Sequence, residues 1–173
     1  MMIKVIAIGN FLMGDDGIAL KVIDEVEKKF LKEKEKLENG KQLEEIYSQL
    51  TFIKAETDFN FALDNIEAGD FLLILDSTLL MLDYGTITEI LISEFQNHSN
   101  YSLSMHNRSL LSFIKHLNIK VEGFILGIEV AKVAFSLDLS EKLKDKFQQI
   151  CDEAYTIIME KSLEYIKKGS NIA

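Results

Sequence analysis

The stretch Ile3-Lys4-Val5-Ile6-Ala7-Ile8-Gly9-Asn10-Phe11-Leu12-Met13-Gly14-Asp15-Asp16-Gly17 joins a short, mostly apolar, β-branched run to a glycine turn and a pair of carboxylates. Residues 3–8 predict a strand buried on both faces, ended by Gly9-Asn10. From residue 16 to residue 37 the period changes. Ile18, Val22, Val26 and Phe30 recur every four residues opposite a charged face, which predicts an amphipathic helix. Asp15 or Asp16 is placed to cap its start, where free N–H groups favour an anion.

Working outward, Glu33 to Gln42 is dense in charge and contains Asn39-Gly40, the pattern of a solvated helix end and turn. Residues 51–56 predict a second strand, and residues 61–66 a short helix. Phe71-Leu72-Leu73-Ile74-Leu75 is the most strongly apolar strand candidate and runs into Asp76-Ser77. Thr86 to Ile92 predicts a strand after the turn Asp83-Tyr84-Gly85. Residues 93–104 are polar and contain the loop Gln96-Asn97-His98-Ser99-Asn100. Leu110, Leu111, Ile114 and Leu117 share one helical face, residues 121–130 predict a last strand, and Ser140 can cap a final helix. The inner face of that helix carries Leu143, Phe147, Ile150, Ala154 and Ile157. The order β-α-β-α-β-β-α-β-α predicts an α/β fold: three α/β/α layers around a mainly parallel sheet of about five strands, helices on both faces. The strand after Asp83-Tyr84-Gly85 follows its predecessor by a short link and is a candidate for antiparallel pairing.

With 173 residues, 47% hydrophobic and 27% charged, the chain has the composition of an ordinary globular protein, read as one domain over residues 1–173. Its net charge of −9 opposes binding to nucleic-acid phosphates and anionic membranes and suits a metal cation or a basic partner. The single cysteine, Cys151, excludes an intrachain disulfide and fits a reducing, cytoplasmic setting. Neither a signal peptide nor a membrane-spanning run is recognisable.

In open α/β sheets, sites lie beyond the carboxyl ends of the strands, and in this chain those ends are acidic. The loop from Gly9 to Gly14 has the glycine spacing of a phosphate cradle. Asp15 and Asp16 stand where the lysine and hydroxyl residue would be needed, so a nucleotide is disfavoured and a cation fits better. A carboxylate at the end of an apolar strand, as Asp76 is, must be paired, metal-bound or satisfied by local N–H groups. Asp16 by itself reads first as a helix cap. Of the three histidines, His106 in Ser104-Met105-His106-Asn107 opens an amphipathic helix. His116, ten residues on, faces another side of it, and His98 sits in a polar loop. Cys151 sits on the apolar side of a helix and reads as a small core residue. Ser77 has no evident base in sequence and no G-x-S-x-G elbow.

These motifs together resemble the [NiFe]-hydrogenase maturation proteases. Ile8-Gly9-Asn10-Phe11-Leu12-Met13-Gly14-Asp15-Asp16-Gly17 is similar to the N-terminal signature of that family, and Leu73-Ile74-Leu75-Asp76-Ser77 to the end of its third strand. Ser104-Met105-His106 resembles its histidine helix, and Gly127-Ile128-Glu129 with Leu137-Asp138-Leu139-Ser140 its last strand and the approach to its last helix. The resemblance spans essentially the whole chain. It departs from the family at Glu56-Thr57-Asp58-Phe59, where a glycine-rich segment is usual, at Val130, where proline is common, and at Tyr84-Gly85-Thr86.

The resemblance implies an endopeptidase that removes the C-terminal extension of a nickel-loaded hydrogenase large-subunit precursor. It implies that Asp16, Asp76 and His106 are both the catalytic and the metal-contacting residues, toward nickel carried by the substrate; zinc or cadmium could take its place. Glu56 falls at an acidic family position and is held as a supporting or substrate-contact residue. The metal would polarise the scissile carbonyl or activate water, or one aspartate would act as general base. Two other readings stand beside it: a non-catalytic nickel-dependent chaperone of the same fold, and an unrelated doubly wound enzyme acting on a small molecule.

Overall fold

The computed structural model describes residues 2–35, 41–97 and 105–170. The elements follow in the order β1 (Ile3–Ile8), α1 (Ile18–Glu35), α2 (Lys41–Gln49), β2 (Leu50–Glu56), α3 (Phe59–Asp64), β3 (Phe71–Thr78), β4 (Ile87–Leu91), α4 (Ile92–Asn97), α5 (Met105–His116), β5 (Glu122–Glu129) and α6 (Glu141–Ser170). A single 3₁₀ turn, Asp15–Gly17, leads into α1. The five strands form one sheet in the order β2-β1-β3-β5-β4. β1 runs parallel to both β2 and β3, and β3 parallel to β5. β4 alone is antiparallel, paired with β5 from Ile87↔Ile128 to Leu91↔Phe124. This is the mainly parallel α/β sheet that the sequence predicts.

Alternation along the strands divides the core into two layers. Ile3, Val5 and Ala7 of β1 and Leu73 and Leu75 of β3 pack with α1 (Val22, Val26, Phe30) and α6 (Leu143, Ile150, Ala154, Ile158). Ile6, Ile8, Leu72 and Ile74 face the other way, onto Ala62 of α3, Ile92 of α4 and Leu110, Leu111 and Ile114 of α5. Every residue of β3 is buried, as expected of the central strand of a doubly covered sheet. At the amino end of β3, the buried Asp70 accepts the N–H groups of Met2 and Glu67 and pairs with Lys4 at 2.7 Å.

Several details differ from expectation. Helices α2 and α4 have no counterpart in the sequence reading. Ile92, expected to end a strand, is instead the buried first residue of α4. Leu117, expected on the buried face of α5, lies beyond the helix end and is exposed. Asn118 adopts a positive φ of 53° there, and the turn brings the partly buried Ile119 onto the layer in its place. In α6, Phe147 and Ile157 are only partly buried, and Tyr155 and Ile158 complete the inner face. Residues 36–40 and 98–104, including the Asn39-Gly40 turn and His98, lie outside the described residues. No helix among the described residues is long and apolar enough to cross a membrane.

Candidate active site

Strand order reverses at β1, which has β2 on one side and β3 on the other. The crevice beyond the carboxyl ends of β1 and β3 is therefore the topological switch point, where sites form in open α/β sheets. The loop after β1 and the last turn of β3 deliver Asp16 and Asp76 to it.

Asp76 is fully buried. Its Oδ1 accepts the N–H of Ser77 at 2.8 Å, and the residue makes a further interaction besides. Asp16 is half-buried. Its Oδ1 accepts the Ser77 hydroxyl at 2.6 Å and its Oδ2 the N–H of Asn10 at 3.0 Å. Ser77, itself buried, thus touches both carboxylates, one through its backbone and one through its side chain. The N–H of Gly9 donates to the Glu56 carbonyl at 3.0 Å, where the β1–β2 register slips between Ala7 and Ile8. This shift turns the chain out of the sheet and lets residue 16 fold back over it.

Neither aspartate caps α1. The residue preceding the 3₁₀ turn is Gly14, at a φ of 62° and with no side-chain cap; the extra turn aims both carboxylates elsewhere. Asp15 is buried, and its carboxylate accepts the N–H groups of Lys132 at 3.1 Å and Ser140 at 2.6 Å. The first loop is thereby tied to the segment between β5 and α6, and Gly14 N–H to Ser136 carbonyl (2.8 Å) and Ser136 N–H to Leu12 carbonyl (3.0 Å) reinforce the tie. Ser140 also differs from expectation. Its carbonyl accepts the first N–H groups of α6, from Leu143 and Lys144, but its buried hydroxyl makes no hydrogen bond.

His106 lies in the first turn of α5; its side chain lies outside the described residues. The backbone alone bears on its position. Residues 117–121 link α5 to Glu122, the register partner of Phe71 at the amino end of β3. Ten helical residues rise about 15 Å, and five strand residues from Phe71 to Asp76 about 16 Å. The length of α5 thus matches the span of β3 up to Asp76, and α5 packs on the sheet face to which Leu72 and Ile74 belong. His116, exposed at the other end of the helix, is remote from the crevice. Among the described residues no group of three or more His, Cys, Asp and Glu side chains is arranged to hold a metal. The described carboxylates, Asp16 and Asp76, are joined through Ser77 and offer oxygen ligands of the kind a divalent cation takes, short of a complete set.

Glu56 is exposed at the end of β2, with a φ of 53°. In the glycine-free segment that follows, the Asp58 carboxylate caps α3 by accepting the Phe61 N–H at 3.0 Å. Glu129, at the end of β5, carries no assigned role in the sequence beyond the Gly127-Ile128-Glu129 motif. It is a buried carboxylate that accepts the Thr78 hydroxyl and the N–H groups of Leu80, Met81 and Leu82. The signal that singles out Asp76, an acid closing an apolar strand, is equally present there. Cys151 is buried in α6 and burial pushes its thiol up to about 12, so it holds no thiolate at neutral pH. Cys151→Ala is expected to lower stability by about 1 kcal/mol and to leave proteolytic activity within twofold; loss of activity in folded protein would contradict the core assignment.

The family model for HycI, hydrogenase maturation protease, matches residues 24–157. The chain belongs to the hydrogenase maturation protease family. It is accordingly a hydrolase, a maturation endopeptidase. Two relatives from Methanocaldococcus jannaschii, provisionally named hydrogenase maturation proteases, agree with this. One is 26% identical over 158 residues, 91% of this chain and 94% of its own. The other is 29% identical over 163 residues, 92% and 89%. Among solved structures, the hydrogenase maturating endopeptidase HybD of Escherichia coli superposes with a TM-score of 0.69 at 15% identity, over 93% of this chain and 94% of its own. HybD of Thermococcus kodakarensis gives 0.61 at 20%, over 91% and 99%. At these identities the structures attest the shared maturation-protease fold.

Proposed function

We propose that this maturation protease cleaves the C-terminal extension from a hydrogenase large-subunit precursor already carrying nickel, and that Asp16, Asp76 and His106 read that nickel. The observation that carries the proposal is the convergence of Asp16 on Asp76 through Ser77 at the β1/β3 switch point. Two fixed carboxylates create a site of negative charge that favours a divalent cation, and an imidazole from the start of α5 would add a nitrogen donor. The residues provide orientation and charge. Hydrolysis adds water to the scissile carbonyl carbon, breaks the C–N bond and passes a proton to the leaving amine. Substrate-borne nickel would polarise that carbonyl or the attacking water; an aspartate taking the water's proton is the other route. A cytoplasmic site of action accompanies this reading.

A polypeptide substrate is supported by the rim of the crevice. The loops beyond β1, β3 and β5 expose Phe11, Leu79, Met81, Phe135 and Leu137, more apolar surface than a small-molecule mouth needs. Met81 is 99% exposed at a φ of 64°, and the Glu129 carboxylate holds its loop. Met81→Glu should cost less than about 0.5 kcal/mol of stability and raise KM for the precursor about tenfold, a loss of about 1.4 kcal/mol of binding, with kcat unchanged. An unchanged KM would remove this loop from the substrate interface.

The deciding experiment incubates the enzyme with large-subunit precursor prepared with and without nickel and follows the C-terminal peptide by mass spectrometry. Release from the loaded precursor alone is expected. Equal release from both would refute nickel reading. Tight binding without release would favour the chaperone reading.

A further inference from the structure

We propose that Ser77 is a positioning residue that couples the two site carboxylates and sharpens the response to nickel; this rests on the reading of Asp16 and Asp76 given above. Ser77 holds Asp76 Oδ1 through its N–H at 2.8 Å and Asp16 Oδ1 through its hydroxyl at 2.6 Å. Asp16 Oδ2 is held in turn by the Asn10 N–H at 3.0 Å. With a donor on each oxygen, the Asp16 carboxylate cannot rotate about its Cβ–Cγ bond without breaking a hydrogen bond. Ser77 is buried, so water does not readily replace its hydroxyl. That hydroxyl connects the end of β3 to the loop after β1, and a side-chain change can remove it without touching a carboxylate. Partners of this kind orient the groups that meet a metal, and their removal typically weakens metal affinity or activity 10- to 100-fold.

The test compares wild type, Ser77→Ala, Ser77→Thr and Asp16→Asn. Titration gives the Kd for nickel-free precursor, and single-turnover cleavage over a range of enzyme concentrations gives the Kd and rate for the nickel-loaded form. Ser77→Ala should lower the preference for loaded over nickel-free precursor by about tenfold or more, with the nickel-free Kd unchanged. Ser77→Thr, which keeps the hydroxyl and suits a strand, should restore the preference to within about threefold. A structural role alone would weaken both precursor forms equally, and that result would overturn the proposal. Unchanged preference in Ser77→Ala beside collapse in Asp16→Asn would overturn the role of Ser77 alone. Unchanged preference in Asp16→Asn would overturn the carboxylate reading itself, and Ser77 with it. Thermal melts of each variant identify any that fails to fold; if Ser77→Ala is one, Ser77→Cys, which is slightly larger but similar in shape and a weaker donor, takes its place with the same expected loss.

Discussion

Asp76→Asn should abolish processing while leaving the protein folded. The substitution keeps the volume of a fully buried side chain and an amide oxygen that can still accept the Ser77 N–H, so the thermal midpoint should fall by only a few degrees. What it removes is a negative charge at the switch point. If that charge holds the nickel that activates carbonyl or water, several kcal/mol of transition-state stabilisation go with it. At about 1.4 kcal/mol per decade of rate, peptide release should drop about a thousandfold. Asp16→Asn and His106→Ala should fall in the same direction, and His116→Ala, at the far end of α5, should not. Full activity in Asp76→Asn, Asp16→Asn and His106→Ala, measured on nickel-loaded precursor, would end the assignment of these residues to the site.

Gly9→Ala is expected to be the most damaging change to the fold near the site. A Cβ at residue 9 would lie 2.2 Å from the carbonyl oxygen of Asp16, with the Asp16 carbonyl carbon at 3.3 Å. Both are backbone atoms and cannot rotate aside. The φ of 154° and the hydrogen bond from Gly9 N–H to the Glu56 carbonyl fix the residue from its other side. The cost should exceed about 3 kcal/mol, read as a lower denaturant midpoint with an unchanged m-value, and activity should be lost because Asp16 is displaced. Gly169→Ala is the matched control. It sits in α6 with nothing within 4 Å of the added carbon, and should be stabilising by about 0.5–1 kcal/mol. A Gly9→Ala protein as stable and active as wild type would mean that the loop after β1 is looser than this packing requires.

What the sequence disclosed depends on the range of the interaction that decides each feature. β1, β3 and α6 are legible because period and apolarity are local, and β3 is buried on both faces as its unbroken hydrophobic run predicts. Asp76 is legible as a charge at the end of that run. Helices α2 and α4 escape because their residues are mostly polar and their helical state is settled by packing, Ile46 against one layer and Ile92 against the other. The fates of Asp15 and Asp16 escape for a different reason. Two adjacent carboxylates before a helix look alike as caps, yet one bonds to residues 117 and 125 positions away and the other to a hydroxyl 61 positions away. No window along the chain contains both partners. The same distance in sequence hid the connection between Ser77 and Asp16, since a serine without a neighbouring base carries no signal until β1 and β3 are side by side.

The ties of Asp15 have a consequence for the order in which the protein is made. Lys132 and Ser140 supply both of its described hydrogen bonds, so a growing chain offers this carboxylate neither donor until residue 132 has been made. At a synthesis rate of roughly 5–20 residues per second, the loop bearing Asp16 waits on the order of ten seconds before it can be fastened. A nascent fragment therefore carries β1, β3 and both candidate carboxylates without the latch that sets their loop. The protease becomes competent only once residue 140 has been made, and a truncation before residue 132 would deprive Asp15 of both partners.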